Sequence, residues 1–231
     1  MDDYKYIWEE SQSPGDKYMD IMDILDDNIV VYILNFVNDK SKVQFLSTSR
    51  KIRNLLMWKI KYTKIYEYGK IKKLPYYNQF NYIKYLANDI NIPEGITHLE
   101  FGDFFNQPIE KCIPDNIINL TFGWEFNQPI KGCIPSQLTH LTFGCRFNQS
   151  IKECIPNTVT HLIFGYAFDQ SIEECIPNSV THLKFGWKFN QPIKEFIPNS
   201  VTHLTLQKYF YKKIKEDIPK NISIETYLYF D

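Results

Sequence analysis

Four of the five cysteines recur every 21 residues, at Cys112, Cys133, Cys154 and Cys175. All five histidines keep the same period, at His98, His140, His161, His182 and His203, with Asn119 filling the missing place. Thiolates and imidazoles are zinc ligands, and zinc needs about four of them converging at about 2.0–2.3 Å. Neighbours in one column of stacked strands lie roughly 4.8 Å apart along a line, so at most two can share a metal. The cysteine column therefore reads as small, partly buried packing residues. Phe196 at the next equivalent position supports that reading. Adjacent thiols fall within disulfide reach, but an odd cysteine count locked to a repeat is not a secreted disulfide framework. The histidine column reads as an exposed or half-exposed stacked ladder, with ligand contact or pairwise metal binding as the alternatives. Near pH 6.5 such a column would gather like charges. There is no phosphate loop, dinucleotide fingerprint, His-Glu-x-x-His or nucleophile elbow. Cys145 beside Arg146 has no ordered catalytic partner. No catalytic residue, metal or cofactor is assigned.

What positions these columns is a repeat. Phe-Asn-Gln-Pro-Ile stands at 105–109, 126–130 and 189–193, with variants at 147–151 and 168–172. A fixed period of this length signals a stacked array. From Ile96 the unit runs V/I-T-H-L-x-F-G-x-x-F-N-Q-P/S-I-x-x-x-I-P-x-x. Leu-x-Phe alternation, from Leu99-x-Phe101 onward, predicts one short strand per unit with one face buried. The glycine that follows, Gly102 through Gly186, is read as permitting a tight bend. The second Phe and the two Ile of each unit complete the core. Pro114 and its equivalents are read as starting an extended return segment. Asn106, Asn127, Asn148, Asp169 and Asn190 read as turn anchors. The positions that vary after each glycine include Trp124, Tyr166 and Trp187, and with His140, His161 and His182 they form the expected partner-binding face of the repeats.

Before the array, residues 1–22 read as a lead-in and residues 23–60 as three short helices. Leu25, Ile29, Ile33 and Phe36 or Val37 recur at helical spacing. Ser41-Lys-Val-Gln44 reads as a capping box for the second helix, and Ser49 as the N-cap of the third, which carries Ile52, Leu55, Leu56 and Trp58. Tyr62, Ile65 and Tyr66 are expected to continue that helix toward Gly69. Residues 61–95 would then hold a connecting helix and an atypical first unit covering one end of the stack. Residues 96–204 are the repeats, and 205–231 a degenerate last unit and C-terminal cap with ISIETYLYF as a final strand.

Two stretches carry a resemblance. FNQPI at fixed period, with THLxFG before it and IP after it, resembles the FNIP repeats of slime moulds and giant viruses. ILDDNIVVYILNFVNDKSKVQFLSTSRKIRNLLMWKI, from Ile24 to Ile60, resembles an F-box, with Asp26 where F-boxes usually carry Pro. The resemblance implies an α+β chain: an F-box-like helical bundle followed by a leucine-rich-repeat-like solenoid with a parallel sheet. It further implies a substrate-recognition adaptor of a cullin–RING ubiquitin ligase. Leu25, Ile29, Ile33, Val43 and Leu46 would dock the Skp-family linker, and the repeats would bind an unknown target protein. The alternative is a stand-alone interaction solenoid.

Composition agrees with a folded chain of this kind. Of 231 residues, 44% are apolar and 23% charged, ordinary for a globular protein. A formal charge of -1 gives no long-range attraction to nucleic acid or to an anionic membrane. The acidic MDDYKYIWEE start lacks a signal sequence's apolar core, and no apolar run is long enough to span a bilayer. The expectation is a soluble intracellular protein in the cytoplasm.

Overall fold

The computed structural model describes residues 24–228. The expected lead-in, residues 1–22, lies outside them. The chain divides into two compact units, residues 1–82 and 83–231.

In the first unit α1 (Asp27–Leu34), α2 (Asp39–Ser47) and α3 (Arg50–Leu56) precede β1 (Tyr62–Glu67) and α4 (Tyr68–Ile71). Each of the first three helices begins on a side-chain cap that satisfies an otherwise orphaned amide. Asp26 accepts from Asn28 N at 2.8 Å, Asn38 from Ser41 N at 3.0 Å, and Ser49 from Ile52 N at 3.5 Å. The second of these corrects the capping-box reading. Asn38 caps this helix, and Ser41 lies inside its first turn. Val30, Leu34, Leu46, Ile52, Leu56 and Ile60 form the core, with Leu25, Val31, Val37 and Phe45 packed against it.

Residues 62–67 are a strand, not a continuation of the third helix. Tyr, Thr and Ile favour the pleated state, and a distant group fixes it. The Asp39 carboxylate is 2% exposed and accepts from Thr63 N at 3.0 Å, Lys64 N at 2.8 Å and the Tyr66 hydroxyl at 3.0 Å. Lys42, 1% exposed, donates to Asp39 at 3.2 Å and to the Lys61 carbonyl at 2.7 Å. These bonds tie α2 to β1.

In the second unit β2 (Phe80–Ala87), which begins just before the boundary, leads into β3 (His98–Phe101), β4 (Asn119–Thr121), β5 (His140–Thr142), β6 (His161–Ile163), β7 (His182–Lys184), β8 (His203–Gln207) and β9 (Ser223–Tyr227). They lie side by side in chain order, all parallel. Tyr85, Leu99, Leu120, Leu141, Leu162, Leu183, Leu204 and Ile224 are in register across it. Beneath the strands two columns of phenylalanine stack. Rings follow one another at 5.5–5.6 Å from Phe101 to Phe185 and at 6.1–6.2 Å from Phe105 to Phe189. Within a rung the two rings are 3.9–4.1 Å apart. Fully burying each such ring contributes roughly 1.5–3 kcal/mol.

Three details differ from expectation. A tight turn does follow each glycine of the column, Phe105 N donating to Gly102 O at 3.0 Å for example, but a positive φ is not what requires glycine there. A Cβ on Gly123, Gly144, Gly165 or Gly186 would overlap the carbonyl of the glycine one rung earlier, so close backbone approach excludes every other residue type. The prolines do not open an extended rise. Their carbonyls close tight turns, Ile117 N to Pro114 O at 3.3 Å and Val180 N to Pro177 O at 3.1 Å being examples. The left-handed conformation appears instead before the cysteine column, at Lys111, Gly132, Glu153, Glu174 and Glu195. The last unit also departs: α5 (Lys208–Ile214), capped by Gln207 Oε1 on Phe210 N at 2.7 Å, replaces the turn, and β9 closes the described sheet.

Candidate interaction surfaces

In the first unit α1 is apolar on two stripes. One, through Val30 and Leu34, is buried. The other carries Ile29, Tyr32 and Ile33 and is continued by Phe36 in the turn after the helix, at i, i+3, i+4 and i+7; they are 49, 64, 48 and 75% exposed. Tyr32 and Phe36 meet edge to face at 5.2 Å. Of the residues expected on this surface, Ile29 and Ile33 lie on it, while Leu25 and Val43 are half-buried. Leu46 is a correction: at 5% exposure it belongs to the bundle core, because it faces Ile52 and Leu56 across the α2–α3 turn. Tyr32 was not singled out from the sequence, although its spacing to Phe36 was legible there.

In the second unit the strands' outer face carries the histidine column. His140, His161, His182 and His203 stack with ring centroids 4.2–4.3 Å apart and planes 4–11° from parallel. Each Nδ1 lies 2.8–2.9 Å from the hydroxyl of the preceding threonine. Thr139 in turn donates to the Ile118 carbonyl at 2.9 Å, and Thr160, Thr181 and Thr202 do the same one rung on at 3.2–3.3 Å. A hydroxyl has one proton to give. The network therefore assigns the ring proton to Nδ1, leaving Nε2 with its lone pair.

Burial lowers the pKa of His98, His140 and His161, and neighbouring histidines lower it further. The sign follows from linkage. A histidine whose folded pKa is depressed stays neutral while the unfolded chain takes the proton. Stability is then intact above about pH 6.5 and declines as pH falls below it. Thermal melts of the full chain at pH 7.5 and 5.5 are expected to show this drop. His161→Asn, a copy of the Asn119 rung, is expected to reduce it, and an unchanged pH dependence in that variant would exclude the ladder as its source.

Of the aromatic residues expected on this face, Trp124 is 53% exposed, and Tyr166 and Trp187 are half-buried. Lys188 Nζ lies 5.6 Å over the Tyr166 ring. Phe104, 91% exposed, was not anticipated.

The asparagine column links rungs instead of closing its own turns. Asn106 Oδ1 accepts from Asn127 N at 2.9 Å, and the same bond recurs at Asn148, Asp169 and Asn190. Gln128, Gln149, Gln170 and Gln191 reach back to the same acceptors at 2.9–3.0 Å. Lys213 ends the ladder on Asn190 Oδ1 at 3.0 Å. All five cysteines are free thiols, and burial raises the pKa of each. Cys112, Cys154 and Cys175 donate to nearby carbonyls at 3.0–3.2 Å. Among the described residues no three His, Cys, Asp or Glu side chains converge as a metal site would require, and no helix is long and apolar enough to cross a membrane.

Comparison with known proteins agrees with this geometry. Over 88 residues the chain is 33% identical to "Putative F-box protein L165" of Acanthamoeba polyphaga mimivirus, covering 38% of this chain and 32% of that one. It is 43% identical over 63 residues to "Putative F-box protein R638" of the same virus, 27% of this chain and 46% of that one. "Putative FNIP repeat-containing protein R636", also from that virus, is 35% identical over 91 residues, 38% of this chain and 23% of that one. The chain thus spans a quarter to a half of the length of these relatives. A solved structure described as a novel circular LRR protein, CroV588, superposes with a TM-score of 0.52 at 34% identity, covering 64% of this chain and 27% of that one. The FNIP repeat model matches residues 88–111, 105–146, 147–188 and 170–209, more than half of the chain in all. With a parallel one-strand-per-unit sheet at the same period, the chain belongs to the FNIP repeat family.

Proposed function

We propose that the chain is a non-catalytic recognition adaptor of a cullin–RING ubiquitin ligase, acting in the cytoplasm of a host cell. Its helical unit docks a Skp-family linker, and the outer face of its repeats takes a target protein. The observation that carries this reading is the exposed stripe Ile29, Tyr32, Ile33 and Phe36. So much contiguous apolar surface on a small bundle marks an interaction site. F-box naming among the relatives supports the choice of partner. On the repeats, Trp124, Tyr166, Trp187 and the ladder of His140, His161 and His182 supply aromatic side chains suited to contacts with a protein target.

The test is direct binding of the purified full chain to a Skp-family linker. The wild type binds, and Ile29→Asp with Ile33→Asp weakens binding by about 100-fold or more, as expected for central apolar contacts. Equal binding by both forms, or by neither, removes the ligase reading. Asp26 in place of the usual Pro favours the second reading, a stand-alone interaction solenoid, which predicts no linker binding at all.

A further inference from the structure

The overall charge of -1 conceals a local excess. Between residues 59 and 73 stand Lys59, Lys61, Lys64, Lys70, Lys72 and Lys73, with Glu67 the one carboxylate among them. All six lysines are exposed. Lys59 pairs with Asp27, and Lys61 donates to the Asn78 carbonyl at 2.9 Å. Nearby Asp39 offers no further neutralisation, since it is buried on Lys42 and the β1 amides.

Two groups of packed aromatic rings stand among these charges. Tyr62 stacks on Phe80 at 4.8 Å, Tyr66 meets Phe80 edge-on at 4.8 Å, and Tyr76 lies 6.0 Å from both Tyr62 and Phe80. Tyr68 meets Tyr77 at 6.1 Å, and Lys72 Nζ sits 5.6 Å over the Tyr68 ring. Lys61 and Lys64 flank Tyr62, while Lys70, Lys72 and Lys73 lie in the short stretch between Tyr68 and Tyr76. Lys72 thus lies against the Tyr68–Tyr77 pair, and the other lysines stand within a few residues of these rings along the chain.

We propose that this exposed lysine-rich stretch is a docking surface for an acidic protein segment. Charge complementarity sets the sign of the partner, and three features select peptide over nucleic acid. The rings are spent on one another, Tyr62 being 3% exposed, so they offer few open faces for base stacking. The cations are all lysines, point charges without the guanidinium fork that grips phosphate in two places. Ile65, 56% exposed between Lys64 and Tyr66, offers an apolar contact that suits a side chain better than a phosphate backbone. Each exposed pair contributes up to about 1 kcal/mol and is screened by salt, so binding must accumulate over several lysines.

The test titrates the full chain with a labelled poly-glutamate peptide and, separately, a single-stranded oligonucleotide of equal charge, followed by fluorescence anisotropy at two salt concentrations. The peptide is expected to bind more tightly than the oligonucleotide and to weaken as salt rises. Changing Lys70, Lys72 and Lys73 together to Glu is expected to weaken it about tenfold, from three exposed pairs. The same three changed to Gln should weaken it less, and this variant serves if the reversed one misfolds. Lys152→Glu, Lys194→Glu and Lys220→Glu together make the same change in net charge elsewhere and should leave binding as in the wild type. Tighter oligonucleotide binding, equal loss in both Glu variants, or no peptide binding would each overturn the proposal.

Discussion

Asp39→Ala is expected to lower the stability of the helical unit by about 3–5 kcal/mol, the usual cost of leaving one member of a buried ion pair alone. Lys42, 1% exposed, would keep its charge with only the Lys61 carbonyl as a polar partner, and the amides of Thr63 and Lys64 would lose their acceptor. Asp39→Ala combined with Lys42→Met should recover part of the loss, because an apolar pair removes the stranded charge. Hydrogen exchange on the full chain is the measurement. Protection should fall across α2 and β1 while the amides of β5 to β7 keep theirs, and unchanged protection at β1 would show that the carboxylate does not hold the strand. The same pair sets an acid limit. Burial pushes the Asp39 carboxyl up, but the Lys64 and Thr63 amides, the Lys42 ammonium and the Tyr66 hydroxyl together hold it below the ordinary range. A depressed carboxylate stabilises the fold above about pH 3.9, its unfolded value, and that contribution is lost as pH falls through the folded value.

Phe164→Ala should cost about 3–5 kcal/mol, as large-to-small changes at buried aromatic positions do. Phe164 is fully buried and touches three rings, Phe143 at 5.5 Å, Phe168 at 3.9 Å and Phe185 at 5.6 Å. In a solenoid each unit contacts only its neighbours, so a weakened middle interface divides the array. Urea unfolding should lose cooperativity, with a lower slope and an early phase confined to rungs beside the substitution. Phe105→Ala, near the beginning of the stack, should leave a single transition. A sharp single transition in Phe164→Ala, merely shifted to lower urea, would mean that the rungs couple over more than nearest neighbours.

What the sequence made legible is what repeats within one unit. The Leu-x-Phe strands, the double phenylalanine core and the outward histidine column are spacings inside 21 residues, and periodicity reports them directly. Contacts between units were harder to read. The asparagine column looks like turn chemistry in the sequence, because its donors, one rung away, are neighbours only after the rise per unit is known. The turn after each glycine is legible, but the reason only glycine fits is not: two backbones approach there, and nothing in a single unit announces that distance. The left-handed positions gave one signal, Gly132, hidden among Lys111, Glu153, Glu174 and Glu195, which hold that conformation at a cost of about 1–2 kcal/mol each. β1 was missed because Asp39 and Thr63 are 24 residues apart. Among the surface residues, Ile29 and Ile33 share an exposed stripe, as their spacing suggests. The burial of Leu46 is not legible, since a helix apolar on more than one stripe does not reveal which stripe is covered.

The asparagine–glutamine ladder has a consequence for how such chains can change length. Every bond in it runs from one unit to the same place in the next, 21 or 22 residues on. A duplicated or deleted block of 21 residues would therefore re-form each lateral bond with an equivalent partner, provided that the cut falls anywhere between the end units. Only the terminus is particular, because Lys213 on α5 supplies the donor that the missing next rung cannot. Unequal recombination within the array is thus structurally silent, whereas loss of the closing block would leave the Asn190 acceptor facing water. Copy number can drift while the two ends stay fixed.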